Sequence, residues 1–194
     1  MDRIIDSKYI SLENLVKESY SVSFEELRKF IEQAINNWNA HKINFAALNT
    51  ALKFAYSYLN QDKLQFNYKN SIPIPICYFS SYLLLGASFI YSYLKSLSID
   101  VKLFSLDKTD KDLREFIEER KLSMIIFTLS QFLHAERLEK LVQYLLNDNL
   151  EVLIGGIPFN YDKNLRNKFP KSVFPEDINE LVHYLENHME KRQE

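Results

Sequence analysis

The feature that most constrains this chain is an alternation that begins near residue 74 and runs to its end, in which short apolar runs take turns with amphipathic helical stretches. The apolar runs lie at 74–79, 101–105, 124–128, 152–154 and 172–174. Helical periodicity lies between them at 84–97, 110–120 and 135–146, more weakly near 161–167, and again at 177–190. A chain that returns to a strand after each helix builds a parallel sheet, because parallel neighbours need a long crossover and right-handed crossovers coat both faces with helices. The expected fold class is therefore α/β: a flavodoxin-like, five-stranded parallel sheet in the order 2-1-3-4-5.

What precedes the sheet is of a different kind. Ser23-Phe24-Glu25-Glu26 has the form of a capping box, a serine followed three residues later by a glutamate that reaches back. After it, Leu27, Phe30, Ile31, Ala34 and Trp38 recur at helical spacing; Phe45, Leu48, Leu52, Ala55 and Leu59 repeat the pattern, and Leu12, Leu15 and Val16 suggest a shorter helix before both. Residues 60–71 are polar, lose the period and end at Ile72-Pro73-Ile74-Pro75. This divides the chain into a helical cap domain at 1–63, a linker at 64–71 and an α/β domain at 72–194.

Composition narrows the function. With 46% hydrophobic and 26% charged residues the chain has the makings of a globular core. Its 24 basic and 26 acidic residues are scattered, which argues against direct nucleic-acid binding. No stretch approaches the roughly 20 apolar residues of a membrane span, and the acidic opening Met1-Asp2-Arg3 does not look like a secretion signal. The lone Cys77 excludes an internal disulfide and multi-cysteine metal sites, suits a reducing, cytoplasmic setting, and reads as a structural thiol inside the first strand. There is no Walker motif, no Gly-x-Gly-x-x-Gly and no nucleophile elbow, so a non-catalytic protein is expected.

In sheets of this kind ligands bind beyond the carboxyl ends of the strands, where the strand order reverses. The loops there are Ser80-Ser81-Tyr82-Leu83-Leu84-Leu85-Gly86, Thr128-Leu129-Ser130-Gln131, Gly155-Gly156-Ile157-Pro158 and Pro175-Glu176. The chain's three glycines, Gly86, Gly155 and Gly156, all fall at or beside these ends, together with two hydroxyl-rich loops.

The succession of a strand and a loop ending in Gly86, then Leu-Phe-Ser-Leu-Asp, Met-Ile-Ile-Phe-Thr-Leu-Ser and Val-Leu-Ile-Gly-Gly-Ile-Pro-Phe, resembles the cobalamin-binding domain of methionine synthase, corrinoid proteins and mutases. The resemblance covers about residues 72–190, and the helical part is similar to the cap that precedes that module in methionine synthase and in light-sensing cobalamin-dependent repressors. It implies a tetrapyrrole between cap and sheet, and it also shows departures. The family's loop Asp-x-His-x-x-Gly ligates cobalt through its histidine, with the aspartate on the other ring nitrogen. Counted back from Gly86, those positions hold Leu83 and Ser81. The Ser/Thr-x-Leu motif aligns with Thr128-Leu129-Ser130, which keeps a hydroxyl and lacks the leucine. In the cap, the repressors' tryptophan has its counterpart in Trp38, but their Glu-His pair would fall on Leu48 and Asn49.

The usual axial histidines are thus absent. Of the four histidines, His134 follows the third strand and is the alternative axial ligand to inspect; His41 reads as a surface turn residue, and His183 and His188 as solvated positions on the last helix. The candidate ligand-binding set is Trp38, Phe45, Leu48, Asn49, Ser81, Leu83, Gly86, Thr128, Ser130, His134, Gly155 and Gly156, with no metal ligand among them by family pattern. Three readings follow from the resemblance. The first is a sensory or regulatory module for a tetrapyrrole, whether haem, a bilin or a cobalamin without the usual histidine. The second is a ligand-free protein that holds a regulatory partner or a second copy of itself, and the third a corrinoid carrier of a methyltransferase system.

Overall fold

The computed structural model describes residues 22–60, 68, 72–79, 85–106, 110–145 and 150–190. The chain forms two compact units, Met1–Tyr68 with Ser88–Ile99, and Lys69–Ala87 with Asp100–Glu194. The expected helix near Leu12, nearly all of the 64–71 linker, and two of the candidate residues, Ser81 and Leu83, lie outside the described residues.

In the helical unit, α1 (Phe24–Asn39) starts at the expected capping box: the Glu26 amide donates to Ser23 Oγ at 3.2 Å, and the Ser23 amide donates to Glu26 Oε2 at 2.8 Å. Two orphan donors of the first turn are thereby satisfied, and Leu27, Phe30, Ile31 and Ala34 form its buried face. The helix ends in a turn where His41 adopts a left-handed φ of 56° and donates its amide to the Trp38 carbonyl at 2.9 Å. Asn44 then caps α2 (Phe45–Leu59) by accepting from the Ala47 amide at 2.9 Å. The two helices share an apolar seam in which the Phe30 and Phe54 rings meet edge to face, 5.7 Å between centroids. From Ser88 onward α3 (Leu85–Ser96) belongs to the same unit. Its Tyr91 hydroxyl donates to Asn60 Oδ1 at 2.8 Å, and its Tyr93 hydroxyl donates to Glu32 Oε1 at 2.9 Å. Burial raises the pKa of both phenols, that of Tyr93 to about 12, with the Glu32 carboxylate adding to the effect.

In the sheet unit, β1 (Ile74–Tyr78), β2 (Val101–Ser105), β3 (Met124–Leu129) and β4 (Glu151–Gly156) pair in parallel in the order β2-β1-β3-β4. Helix α4 (Asp110–Arg120) joins β2 to β3, and a short 3-10 turn (Phe132–His134) runs into α5 (Ala135–Leu145) between β3 and β4. Alternation along the strands sorts the side chains by face. Ile125, Phe127, Leu129, Val152 and Ile154 belong to one core cluster with Leu113 and Ile117 of α4 and with Leu138, Leu141 and Val142 of α5. The intervening positions Ile126, Thr128, Leu153 and Gly155 therefore turn to the other face.

The expected fifth strand does not form. Val173 makes one isolated parallel bridge to Leu153, donating its amide to the Val152 carbonyl at 2.9 Å and accepting from the Ile154 amide at 2.8 Å. Pairing goes no further because Pro175 has no N–H to offer a ladder and because the next ring, Phe174, packs on Phe159 at 5.3 Å and Phe169 at 6.2 Å. The weak helix expected near 161–167 is replaced by α6 (Ile157–Tyr161) and a 3-10 helix (Lys163–Lys168). The chain closes its described part with α7 (Ile178–Glu190). Among the described residues no helix is long and apolar enough to cross a membrane.

Candidate functional site

The strand order reverses between β1 and β3, since β2 lies to one side of β1 while β4 lies beyond β3. At the carboxyl ends of these strands Thr128 pairs in register with Tyr78 on one side and with Gly155 on the other. Registered residues of parallel strands share a face, so the Thr128 side chain stands beside the place where Gly155 has none. Gly86, in the first turn of α3, completes the group: a Cβ there would lie 3.5 Å from Thr128 Oγ1. A Cβ at Gly155 would meet nothing within 4 Å among the described residues, so they leave this end of β4 open. Three of the sequence candidates, Gly86, Thr128 and Gly155, thus converge on one face of the edge.

Gly156 has a different role. Its φ is 118°, and a Cβ there would fall 1.9 Å from the Leu129 carbonyl oxygen, so the glycine is demanded by the approach of two backbones. Ser130, one residue past β3, is partly exposed.

On the other half of the edge sequence reasoning named His134 but missed its partners, Phe79 and Arg137. The His134 ring lies flat on Phe79, 5.1 Å between centroids and 9° between planes. The Arg137 guanidinium sits 5.3 Å from the same ring and donates from Nη2 to the Leu106 carbonyl at 2.7 Å, tying α5 to the chain just after β2. Next to this stack in the chain, Phe132 and Leu133 are 52% and 70% exposed, and after β4 Ile157 is exposed as well. Nothing in the local pattern around Phe79 marks it, because its partners come from other strands' loops.

Of the candidates in the helical unit, Trp38 and Phe45 form an edge-to-face pair at 6.1 Å, and both are exposed. Leu48 is only 5% exposed and is part of that unit's own core, while Asn49 is partly exposed. His41 and His183 are exposed, as read from sequence. His188 is not the solvated residue expected. Its side chain is 18% exposed, with Nδ1 3.1 Å from Glu151 Oε2 and Nε2 3.5 Å from Ser123 Oγ. The stripe Leu181, Tyr184, Leu185, His188 at helical spacing carries it inward with two buried leucines. Cys77 is fully buried, and burial pushes its thiol pKa well above the ordinary value, as a structural cysteine requires.

The donor set at the carboxyl edge does not fit a corrin held through cobalt by this chain. Position 83 offers leucine in place of imidazole, and the imidazole of His134 is engaged face to face with Phe79. Among the described residues no group of His, Cys, Asp and Glu is arranged to hold a metal ion. What the described residues offer at this edge is the opening at Gly155 beside the Thr128 hydroxyl, with Phe132, Leu133 and Ile157 exposed after the strands.

No protein-family model matches the chain, and no curated protein matches it. Among solved structures it is similar to a novel cobalamin-binding protein from Desulfitobacterium hafniense DCB-2, with 13% identity and a TM-score of 0.59, covering 96% of this chain and 95% of that one. At that identity the likeness speaks for architecture: this chain has the fold of a cobalamin-binding protein, a parallel α/β sheet with an accompanying helical unit.

Proposed function

We propose that this protein is a sensory or regulatory module, non-catalytic at the carboxyl edge of its sheet, where it takes a tetrapyrrole, either haem, a bilin, or a cobalamin bound without a histidine from the first loop. The observation that carries the reading is the convergence of Gly86, Thr128 and Gly155 on one face of the edge, with no atom of the described residues within 4 Å of a Cβ placed at Gly155. Affinity would come from apolar burial, at about 25 cal/mol per Å², and orientation from the Thr128 hydroxyl. The fold shared with a cobalamin-binding protein supports the ligand class. A cytoplasmic regulatory protein partner, or a second copy of the chain, would read the bound state.

The test is an absorbance titration of the full chain with hemin, biliverdin, hydroxocobalamin and methylcobalamin. A saturable spectral shift with any of them, weakened by Gly155→Val, supports the reading. Absence of a shift with all of them overturns it.

A second reading, a ligand-free interaction protein, is favoured by the solvent exposure of Phe132, Leu133 and Tyr161, the last 83% exposed. It predicts self-association by sedimentation that Leu133→Glu abolishes. A corrinoid carrier ranks third, because it would require cobalamin to keep its own base on cobalt.

A further inference from the structure

At the amino edge of the sheet, opposite the candidate ligand edge, three side chains stand in a row. Ser123 directly precedes β3, Glu151 opens β4, and His188 comes from the last turn of α7. The Ser123 carbonyl accepts the Glu151 amide at 2.8 Å, which fixes the two strand starts side by side. Ser123 Oγ is 3.5 Å from His188 Nε2, and His188 Nδ1 is 3.1 Å from Glu151 Oε2. The Tyr184 hydroxyl, one helical turn before His188, donates to the same Glu151 oxygen at 2.9 Å. We infer that Ser123, His188 and Glu151 form a nucleophile, base and orienting acid, and that Ser123 accepts acyl groups from small activated carboxylic esters.

The order of atoms is what the chemistry requires. With a proton on Nδ1 held by Glu151, the neutral imidazole presents the Nε2 lone pair to the serine hydroxyl. Oγ attacks the ester carbonyl carbon as its proton passes to Nε2; the tetrahedral adduct collapses, the C–O bond to the leaving group breaks, and Nε2 returns the proton to the departing oxygen. The products are an acyl-serine ester and the free alcohol or phenol, with no redox change. A 3.5 Å ground-state separation of nucleophile and base is within the range that tightens on substrate binding. Tyr184 stays protonated as a donor to Glu151, since burial and that carboxylate raise its pKa to about 12. Glu151 acts through the imidazole and is a positioning residue.

The experiment treats the full chain with p-nitrophenyl acetate, following p-nitrophenolate release and locating the acetyl group by peptide mass spectrometry. The expected result is a burst of one equivalent with the adduct on Ser123, absent in Ser123→Ala and retained in Ser123→Cys. His188→Gln should slow the burst by about 100-fold, and Glu151→Gln should slow it less, with partial rescue by Glu151→Asp. Circular dichroism of each variant identifies any loss of fold. An unchanged burst in folded Ser123→Ala, or an adduct only on a lysine or tyrosine, overturns the assignment.

Discussion

Gly156 and Leu129 approach so closely that a Cβ on the glycine would lie 1.9 Å from the leucine's carbonyl oxygen. The two residues are registered partners at the carboxyl ends of β4 and β3, and the φ of 118° at Gly156 turns the chain directly into α6. Its neighbour Gly155 has nothing among the described residues within 4 Å of the position its Cβ would take. A Gly-Gly pair that reads as one motif in the sequence therefore has two functions, a backbone turn and an opening.

The pair separates in stability measurements. Gly156→Ala should destabilise the protein by about 3 kcal/mol or more, because the substituent meets backbone and the conformation disfavours any L side chain. Gly155→Ala should fall within about 0.5 kcal/mol of the parent. Chemical denaturation of both variants checks this, and equal losses would refute the division of roles.

How much of this was legible beforehand depended on whether the signal was local. The capping box at Ser23 and Glu26 is a contiguous pattern with a local cause, and it forms as read. The four paired strands were visible because each is an apolar run bounded by polar turns. The stretch 172–174 had the same look, but Phe174 is drawn into a cluster with Phe159 and Phe169, and the segment keeps a single bridge. His188 shares a helical stripe with Leu181 and Leu185, yet its polarity suggested solvent, when a carboxylate on β4 was waiting for it. The stack of His134 on Phe79 joins residues from two loops that only the sheet brings together, and no spacing rule reaches that far.

Ser92 offers a test of polar burial in the helical unit. It is fully buried, and its Oγ has no hydrogen-bond partner among the described residues. Ser92→Ala should therefore be stabilising, by about 1 kcal/mol, as a desolvated hydroxyl is removed. Ser96→Ala on the same helix should destabilise, since Ser96 Oγ donates to the Tyr93 carbonyl at 2.6 Å. Urea midpoints of the two variants should move in opposite directions.

Alkaline stability should be set in part by two tyrosines. Tyr93 and Tyr184 are both raised from 10.0 to about 12, first by burial and then by accepting carboxylates, Glu32 and Glu151. A folded-state pKa above the unfolded value contributes stability that is complete below pH 10 and lost as pH rises toward 12. Tyr93→Phe and Tyr184→Phe should each flatten the fall of stability across that window. Denaturation curves taken through it, with phenolate absorbance as a second readout, would show the change; a slope identical to the parent in both variants would contradict it.

The carboxyl edge can be divided by mutation into a part that supports the fold and a part that meets ligand. Phe79 is buried in the main core cluster, so Phe79→Ala should cost about 3–5 kcal/mol. His134→Ala removes one stacked ring from a partly exposed position and should cost about 1 kcal/mol. For a chromophore bound at Gly86, Thr128 and Gly155, the spectrum of the complex should survive His134→Ala, whereas Thr128→Val and Gly155→Val should weaken binding about tenfold or more. The reverse pattern, a spectrum changed by His134→Ala and indifferent to the other two, would mean that the imidazole leaves Phe79 to ligate a metal, and the placement of ligand beside the glycines would then be wrong.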